Sequence, residues 1–381
     1  MGLPEFYNLR YELAENGFER WRFLQTWWRL YRHERHWAAP YYPAFKEALN
    51  PESNPHLKRM EPRLVFTRGV ARKRGQNTIE GDLSPYLGLG VAAEATLSCA
   101  LLLYDQRRPD GSAYLALLHS QNTPSGLEGL LDFAGEELAY SGARRILGPV
   151  GISPFFNSGV LTNLWNQTPP AYAAYNPPFL PELMGQVMEP GPVRHVYRLP
   201  VTAGNAPVLS GPARLEPLEV KRLANDLLYL LQVACLPLEE YPAPDVLEAS
   251  FLLKSIRQWP HWGWLAKVEG RPAGFVLLQP DFSPLLQRTG GGRALWQRLV
   301  LRLLSNQPTR SGRVVFGGVA PNYRRQGIAR QLWQQVIRFA QLQGWESLSV
   351  GPLPETSPAA RFCTNLGGQS NQEYRLYTGD L

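Results

Sequence analysis

The stretch from residue 313 to residue 350 constrains this chain more than any other. Residues 313–319 are a β-branched apolar run, and Pro321 stops it. Further on, Ala329, Leu332, Trp333, Val336, Ile337 and Ala340 recur at helical spacing, and Gly344 offers the left-handed turn that closes a helix. A second strand, 346–350, follows at once. Short connections on both sides make a strand–helix–strand unit, so the fold is of the α/β kind. The joint between strand and helix carries Arg324, Arg325, Gln326 and Gly327, then Ile328, Ala329 and Arg330 as the helix begins. A helix N-terminus presents unpaired N–H groups and the positive end of its dipole, which suits an anion. The arginines add charge there, and Gly327 lets a ligand approach the backbone closely.

A chain of 381 residues exceeds one ordinary core, and two domains are expected, 1–200 and 201–381. The 44% apolar and 11% aromatic content marks a packed globular chain. No apolar run is long enough to span a bilayer, and the first residues lack a secretory pattern. The three cysteines, Cys99, Cys235 and Cys363, have no metal spacing and suggest no disulfide framework. A cytoplasmic protein with no metal and no membrane partner is the expectation. The net charge of +7 is densest around Lys58, Arg59, Arg63, Arg68, Arg72, Lys73 and Arg74. These read as solvated strand and loop faces, too sparse for a nucleic-acid tail, so nucleic acid is not an expected partner.

The order of elements repeats. Residues 114–118 read as a strand, with Ser125 as N-cap of a helix whose stripe is Leu127, Leu130, Leu131, Ala134 and Leu138. Gly142 ends that helix, and a strand at 144–147 runs into Gly148-Pro149. In the second half a helix, Gly344 and a strand run into Gly351-Pro352. The first copy has residues 120–126, Ser-Gln-Asn-Thr-Pro-Ser-Gly, in place of the basic loop. With no cation there, this half is expected to have lost anion binding or to bind something less charged. The insertion 280–311 holds Gly290-Gly291-Gly292, a flexible or close-approach spot, and a helix stripe at Ala294, Leu295, Leu299, Leu303 and Leu304. Polar and aromatic residues Asn157, Asn163, Trp165, Asn166, Tyr172, Tyr175 and Asn176 read as a Pro-stiffened connector or as the lining of a pocket between the halves.

The string Arg324-x-x-Gly327-x-Ala329 resembles the pyrophosphate-binding loop of the Gcn5-related N-acetyltransferases (GNAT), which grips coenzyme A. The flanking elements match in order: a strand at 213–218, a helix at 220–234, a hairpin of 262–268 and 273–279 joined through 269–272, a last helix at 357–368 and a final strand at 372–377. Beyond that half, the Gly148-Pro149 exit, the Tyr175-Asn176-Pro177-Pro178 turn, the aromatic segment 23–31 and the terminal Tyr374-Arg375-Leu376-Tyr377 resemble bacterial tandem acetyltransferase-like proteins of unassigned substrate. The resemblance implies an α/β fold with mixed sheets (α+β). It implies two tandem acyl-CoA N-acyltransferase-like domains, the N-terminal one degenerate.

It also implies a reaction. Acetyl-CoA, or another acyl-CoA, would donate its acyl group to a small-molecule or peptide amine. Residues 325–329 would hold the pyrophosphate, and the backbone N–H of Val319, with neighbouring Gly318, would face the thioester. The last helix departs from the family. Cys363 stands where a tyrosine acid is usual, and Thr356 where an asparagine is usual. Strand 313–319 lacks the carboxylate many members use as base, which leaves Glu355, Asp281, Glu240 and His195 as candidates. Two other readings remain: an aminoacyl-tRNA-dependent transferase of tandem layout, which the +7 charge would suit, and a non-catalytic acyl-CoA sensor.

Overall fold

The computed structural model describes residues 6–14, 17–31, 33–71, 94–152, 158–201, 211–220, 225–234 and 242–381. Leu223, Glu240 and Cys235 lie outside them, as do Asn157 and the basic residues Arg72, Lys73 and Arg74. The first half runs β1 (Phe6–Leu13), α1 (Gly17–Tyr31), α2 (Tyr42–Ala48), α3 (Pro55–Met60), β2 (Arg63–Ala71), β3 (Glu94–Tyr104), β4 (Ser112–Ser120), α4 (Pro124–Ala139), β5 (Arg145–Val150), β6 (Val160–Leu161), α5 (Leu180–Val187), β7 (Glu189–Pro190) and β8 (Arg194–Pro200). The second runs β9 (Arg214–Pro217), α6 (Asn225–Val233), α7 (Val246–Ile256), β10 (Trp262–Val268), β11 (Arg271–Pro280), α8 (Ser283–Arg288), α9 (Leu295–Leu304), β12 (Ser311–Val319), α10 (Ile328–Leu342), β13 (Ser347–Pro354), α11 (Pro358–Asn365), β14 (Gln369–Arg375) and β15 (Tyr377–Asp380).

Two mixed sheets result, ordered β1-β2-β3-β4-β5-β15-β7 and β6-β14-β8-β13-β12-β11-β10-β9. Each has one parallel pair, β4 with β5 and β12 with β13, bridged by α4 and α10. Leu332, Val336 and Ala340 of α10 are buried against Val276, Leu278 and Leu348 of the sheet, as their spacing requires. Leu227 and Leu277 are also buried, while Leu215, Val314 and Val315 are only partly so.

The sheets are not divided at residue 200. Strand β8 leaves the first half and inserts between β13 and β14. Strand β15 leaves the second half and inserts between β5 and β7. The single final strand read at 372–377 is therefore two strands in different sheets, parted at buried Leu376. Alternating Tyr-Arg-Leu-Tyr carries no glycine or proline to mark the break. Two smaller corrections concern turns. The β10–β11 hairpin turns on two residues, Glu269 and Gly270, both at positive φ, with Arg271 and Pro272 already in strand β11. The N-cap of α4 is Thr123, not Ser125, because Pro124 takes the first helical position, where its missing N–H costs nothing.

A buried ionic cluster joins the halves. Glu248 on α7 is fully buried, caps its own helix with Asp245, and accepts from Arg59 of α3 and from Arg107. Its carboxylate also lies 3.3 Å from the His56 ring. These partners outweigh burial and hold the Glu248 carboxyl down to about 2. Other members of the basic cluster are also engaged: Arg63 with Glu137, Arg68 with Glu12, Lys58 with Glu52. The triple glycine is a close approach, since a Cβ on Gly291 would lie 2.2 Å from the carbonyl oxygen of Pro40, and Trp28 donates to the Gly290 carbonyl.

Candidate functional site

Strands β12 and β13 pair only from Ser311 with Ser347 to Val314 with Val350. Beyond that point residues 315–319 pair with β11 alone, and a bulge on that side falls at Val315. The two parallel strands diverge and leave a cleft between 315–319 and 351–354. The bond from Ala320 N–H to Ala273 C=O fixes the phase of the antiparallel ladder. Counting back, Gly318 faces Phe275 on β11, while the polar groups of Val319 turn to the cleft. Consistently, the Val319 carbonyl accepts from Arg324 Nε. Of the two expected donors, Val319 has the right direction. Gly318 answers a packing demand, because a Cβ there would lie 2.4 Å from the Ala234 carbonyl oxygen.

The basic loop lies between β12 and α10. Arg325 and Gly327 are both left-handed, at φ 64° and 83°. The first helical bond runs from Gln331 N–H to Gly327 C=O, so the N–H groups of 328–330 emerge from the helix end. Arg324, Arg325, Gln326, Gly327 and Arg330 are exposed, whereas Ile328 is buried and anchors the helix. The Gln326 side-chain amide donates to the Asn322 carbonyl, tightening the turn. A Cβ on Gly327 would meet nothing within 4 Å, so the backbone is open to a ligand. Open N–H groups, a helix dipole and three arginines suit a pyrophosphate.

The first half repeats the cleft without the loop. Strand β4 leaves β5 after Ala116, beside Leu117 at φ 51°. Only residues 121–123 then separate β4 from α4, against 320–327 in the second half. Gln121 N–H donates to Leu97 C=O and Thr123 N–H to Gln121 C=O, so donors that face a ligand in a longer loop are already used. The short joint thus differs from the long one in free donors as well as in charge.

The family model described as Acetyltransferase (GNAT) family matches residues 226–367. That stretch of the chain is similar to a GNAT domain. The coarse chemistry of that family is acyl transfer. A tandem GNAT protein from the clavulanic acid biosynthesis pathway, in a structure without AcCoA, superposes with TM-score 0.56 at 13% identity, covering 98% of each chain. A GCN5-related N-acetyltransferase from Anabaena variabilis superposes with TM-score 0.53 at 8% identity, covering 97% of this chain and 72% of that one. A GCN5-related glucosamine N-acetyltransferase region of a fungal multi-domain β-N-acetylglucosaminidase gives TM-score 0.53 at 13% identity, covering 98% of this chain and 38% of that one. These likenesses establish the tandem GNAT fold. Among curated proteins none matches the chain.

Around the GNAT cleft the candidate acids and bases fare differently. Cys363 on α11 is buried with Tyr197, Leu199 and Ala360, and burial pushes its thiol up to about 12. Thr356 is exposed at the turn before α11, its carbonyl accepting from Arg361. Glu355 is exposed at the end of β13. His195 is buried on β8 between β13 and β14, and its Nδ1 has no partner among the described residues. Asp281 is committed to structure: its Oδ1 accepts from Ala171 N–H, Ser283 N–H and Ser283 Oγ. Among the described residues no cluster of His, Cys, Asp and Glu is disposed to hold a metal ion, and no helix is long and apolar enough to cross a membrane.

Tyr197 carries no local signal along the chain. It reaches α11 on exchanged strand β8, and burial, then Cys363 and Glu355, raise its hydroxyl above the ordinary tyrosine value. Of the polar–aromatic connector, Tyr172, Tyr175 and Asn176 line a cavity between the halves, and Asn163 and Trp165 do not.

Proposed function

We propose that the protein is an acyl-CoA-dependent N-acyltransferase, most simply an N-acetyltransferase that moves an acetyl group from acetyl-CoA to an amine. The observation that carries this reading is the pairing of an open cleft with an exposed, arginine-flanked helix N-terminus on the same strand. In it, the N–H groups of 325–329 and the side chains of Arg324, Arg325 and Arg330 hold the pyrophosphate. The Val319 N–H polarises the thioester carbonyl. Thr356 sits at the start of α11 beside the cofactor's path. The acceptor is a small-molecule or peptide amine that enters the cleft largely neutral, with Glu355 or His195 taking its proton directly or through water. The short Cys363 side chain stays within the apolar cluster of Leu199 and Ala360 and is not the acid. We assign that step to the Tyr197 hydroxyl, which stands beside it. Tyr197→Phe then lowers kcat about tenfold or more without weakening acetyl-CoA binding. An unchanged kcat removes Tyr197 from the reaction.

The test of the site is calorimetric titration with acetyl-CoA. Wild type binds in the micromolar range and Gly327→Glu does not, while its circular dichroism stays native. Gly327→Ala, which adds only the strain of a left-handed alanine, of order 1–2 kcal/mol, separates backbone from charge. Undiminished affinity in Gly327→Glu overturns the assignment. Cys363 burial and the absence of a carboxylate on β12 favour one second reading, a coenzyme A sensor without turnover. Release of free coenzyme A in the presence of an amine panel separates the two. The pairing of Lys58, Arg59, Arg63 and Arg68 with carboxylates argues against a tRNA-dependent enzyme.

A further inference from the structure

A cavity of about 160 Å³ opens between the halves, at the cleft of the first one. Its walls are aromatic, with Trp27, Tyr31, Trp37 and Phe45 from the first half and Trp259 and Phe282 from the second. No Asp, Glu, Lys or Arg lines it among the described residues. His119, at the end of β4, is 4% exposed. Its Nδ1 lies 2.7 Å from the Tyr31 hydroxyl, and its Nε2 has no partner. Burial holds this imidazole well below its ordinary value, so it is neutral. The Trp27 indole N–H also has no partner, and its ring meets that of His119 edge-on with centroids 4.2 Å apart.

A buried donor and a buried imidazole nitrogen left unpaired are costly, and native interiors satisfy them. Both belong to the wall of one cavity, and its size is on the scale that holds a single benzene-sized ring. The absence of charge disfavours an ionised ligand, and the short 121–123 loop offers coenzyme A no pyrophosphate site.

We infer that this cavity is a binding site for a small, uncharged aromatic molecule bearing one hydroxyl group. The ring packs between the aromatic walls. The hydroxyl oxygen accepts from the Trp27 N–H, and its proton is donated to His119 Nε2, with Tyr31 accepting from Nδ1–H. The inference does not depend on coenzyme A binding in the second half.

Calorimetric titration of the full chain with p-cresol, and with toluene as its isostere lacking the hydroxyl, tests it. Wild type binds p-cresol about tenfold more tightly than toluene, as expected for about 1.4 kcal/mol from two hydrogen bonds. His119→Phe abolishes that preference. Ala44→Trp, a half-buried position on the cavity wall, excludes both probes. Acetyl-CoA affinity is the same in both variants as in wild type, which keeps this site separate from the loop. No p-cresol binding in wild type, equal affinity for the two probes, or full p-cresol affinity in Ala44→Trp overturns the proposal. The last two outcomes leave the unpaired groups to water or place the probe elsewhere.

Discussion

The two halves share a sheet plan and differ at one joint. After β4 the chain enters its helix through residues 121–123, and after β12 through 320–327. The short joint spends its N–H groups on Leu97 and Gln121 and puts a proline at the first helical position. The long joint holds Arg325 and Gly327 in the left-handed region, and the N–H groups of 328–330 that follow it have no helical partner, with Arg324, Arg325 and Arg330 exposed around them. The two joints therefore differ in loop length and in which N–H groups are already bonded, as well as in charge, on a shared sheet plan.

The strongest challenge to treating the halves separately is their shared cluster. Glu248→Ala removes the buried carboxylate that Arg59 and Arg107 share, although they keep Asp245 and Asp105, and should cost about 2–3 kcal/mol. Thermal unfolding followed by circular dichroism checks this. Because strands are exchanged, the loss should appear as one transition, whereas two separate transitions would show halves that fold alone. The same carboxyl gives a pH signature. Its folded value, about 2, lies below the unfolded value near 4.5. The stabilisation is thus complete above about 4.5 and is lost as pH falls toward 2. In Glu248→Gln that part of the acid dependence disappears.

A medium effect sharpens the account of the long joint. Arg324→Ala, Arg325→Ala and Arg330→Ala should each weaken acetyl-CoA binding about three- to tenfold, with shallower salt dependence. No change in any of them would leave the backbone as the whole site. A smaller effect is expected from Cys363→Ala, with kcat within about twofold of wild type and stability lower by about 1 kcal/mol for the lost packing. The smallest effect tests the short joint. Gln121→Arg with Asn122→Arg supplies charge without freeing the Thr123 N–H, so acetyl-CoA titration of a chain that also carries Gly327→Glu should give no heat of binding. Binding there would mean that charge, not loop geometry, divides the halves.

Much of the fold was readable along the chain. The stripe Leu332, Val336 and Ala340 faces the sheet as its period demands, and Gly344 closes α10 at φ 70°. The loop 324–330 was readable because every residue of the site is local. Other features had no local signal. Nothing in Tyr374-Arg375-Leu376-Tyr377 says that the chain changes sheets at Leu376. Nothing near Tyr197 says that it will stand beside Cys363. His119 reads as one polar residue at the end of an apolar strand, and only packing against Tyr31 and Trp27 makes it part of a cavity.

By itself the sequence determined the elements, the repeated plan and the basic joint, since periodicity, capping and loop chemistry act over a few residues. The tertiary structure decided which sheet receives β8 and β15, where the halves meet, and which buried residues line a cavity. Those outcomes depend on pairing between segments far apart in the chain, where backbone hydrogen bonds are available to more than one partner and packing makes the choice.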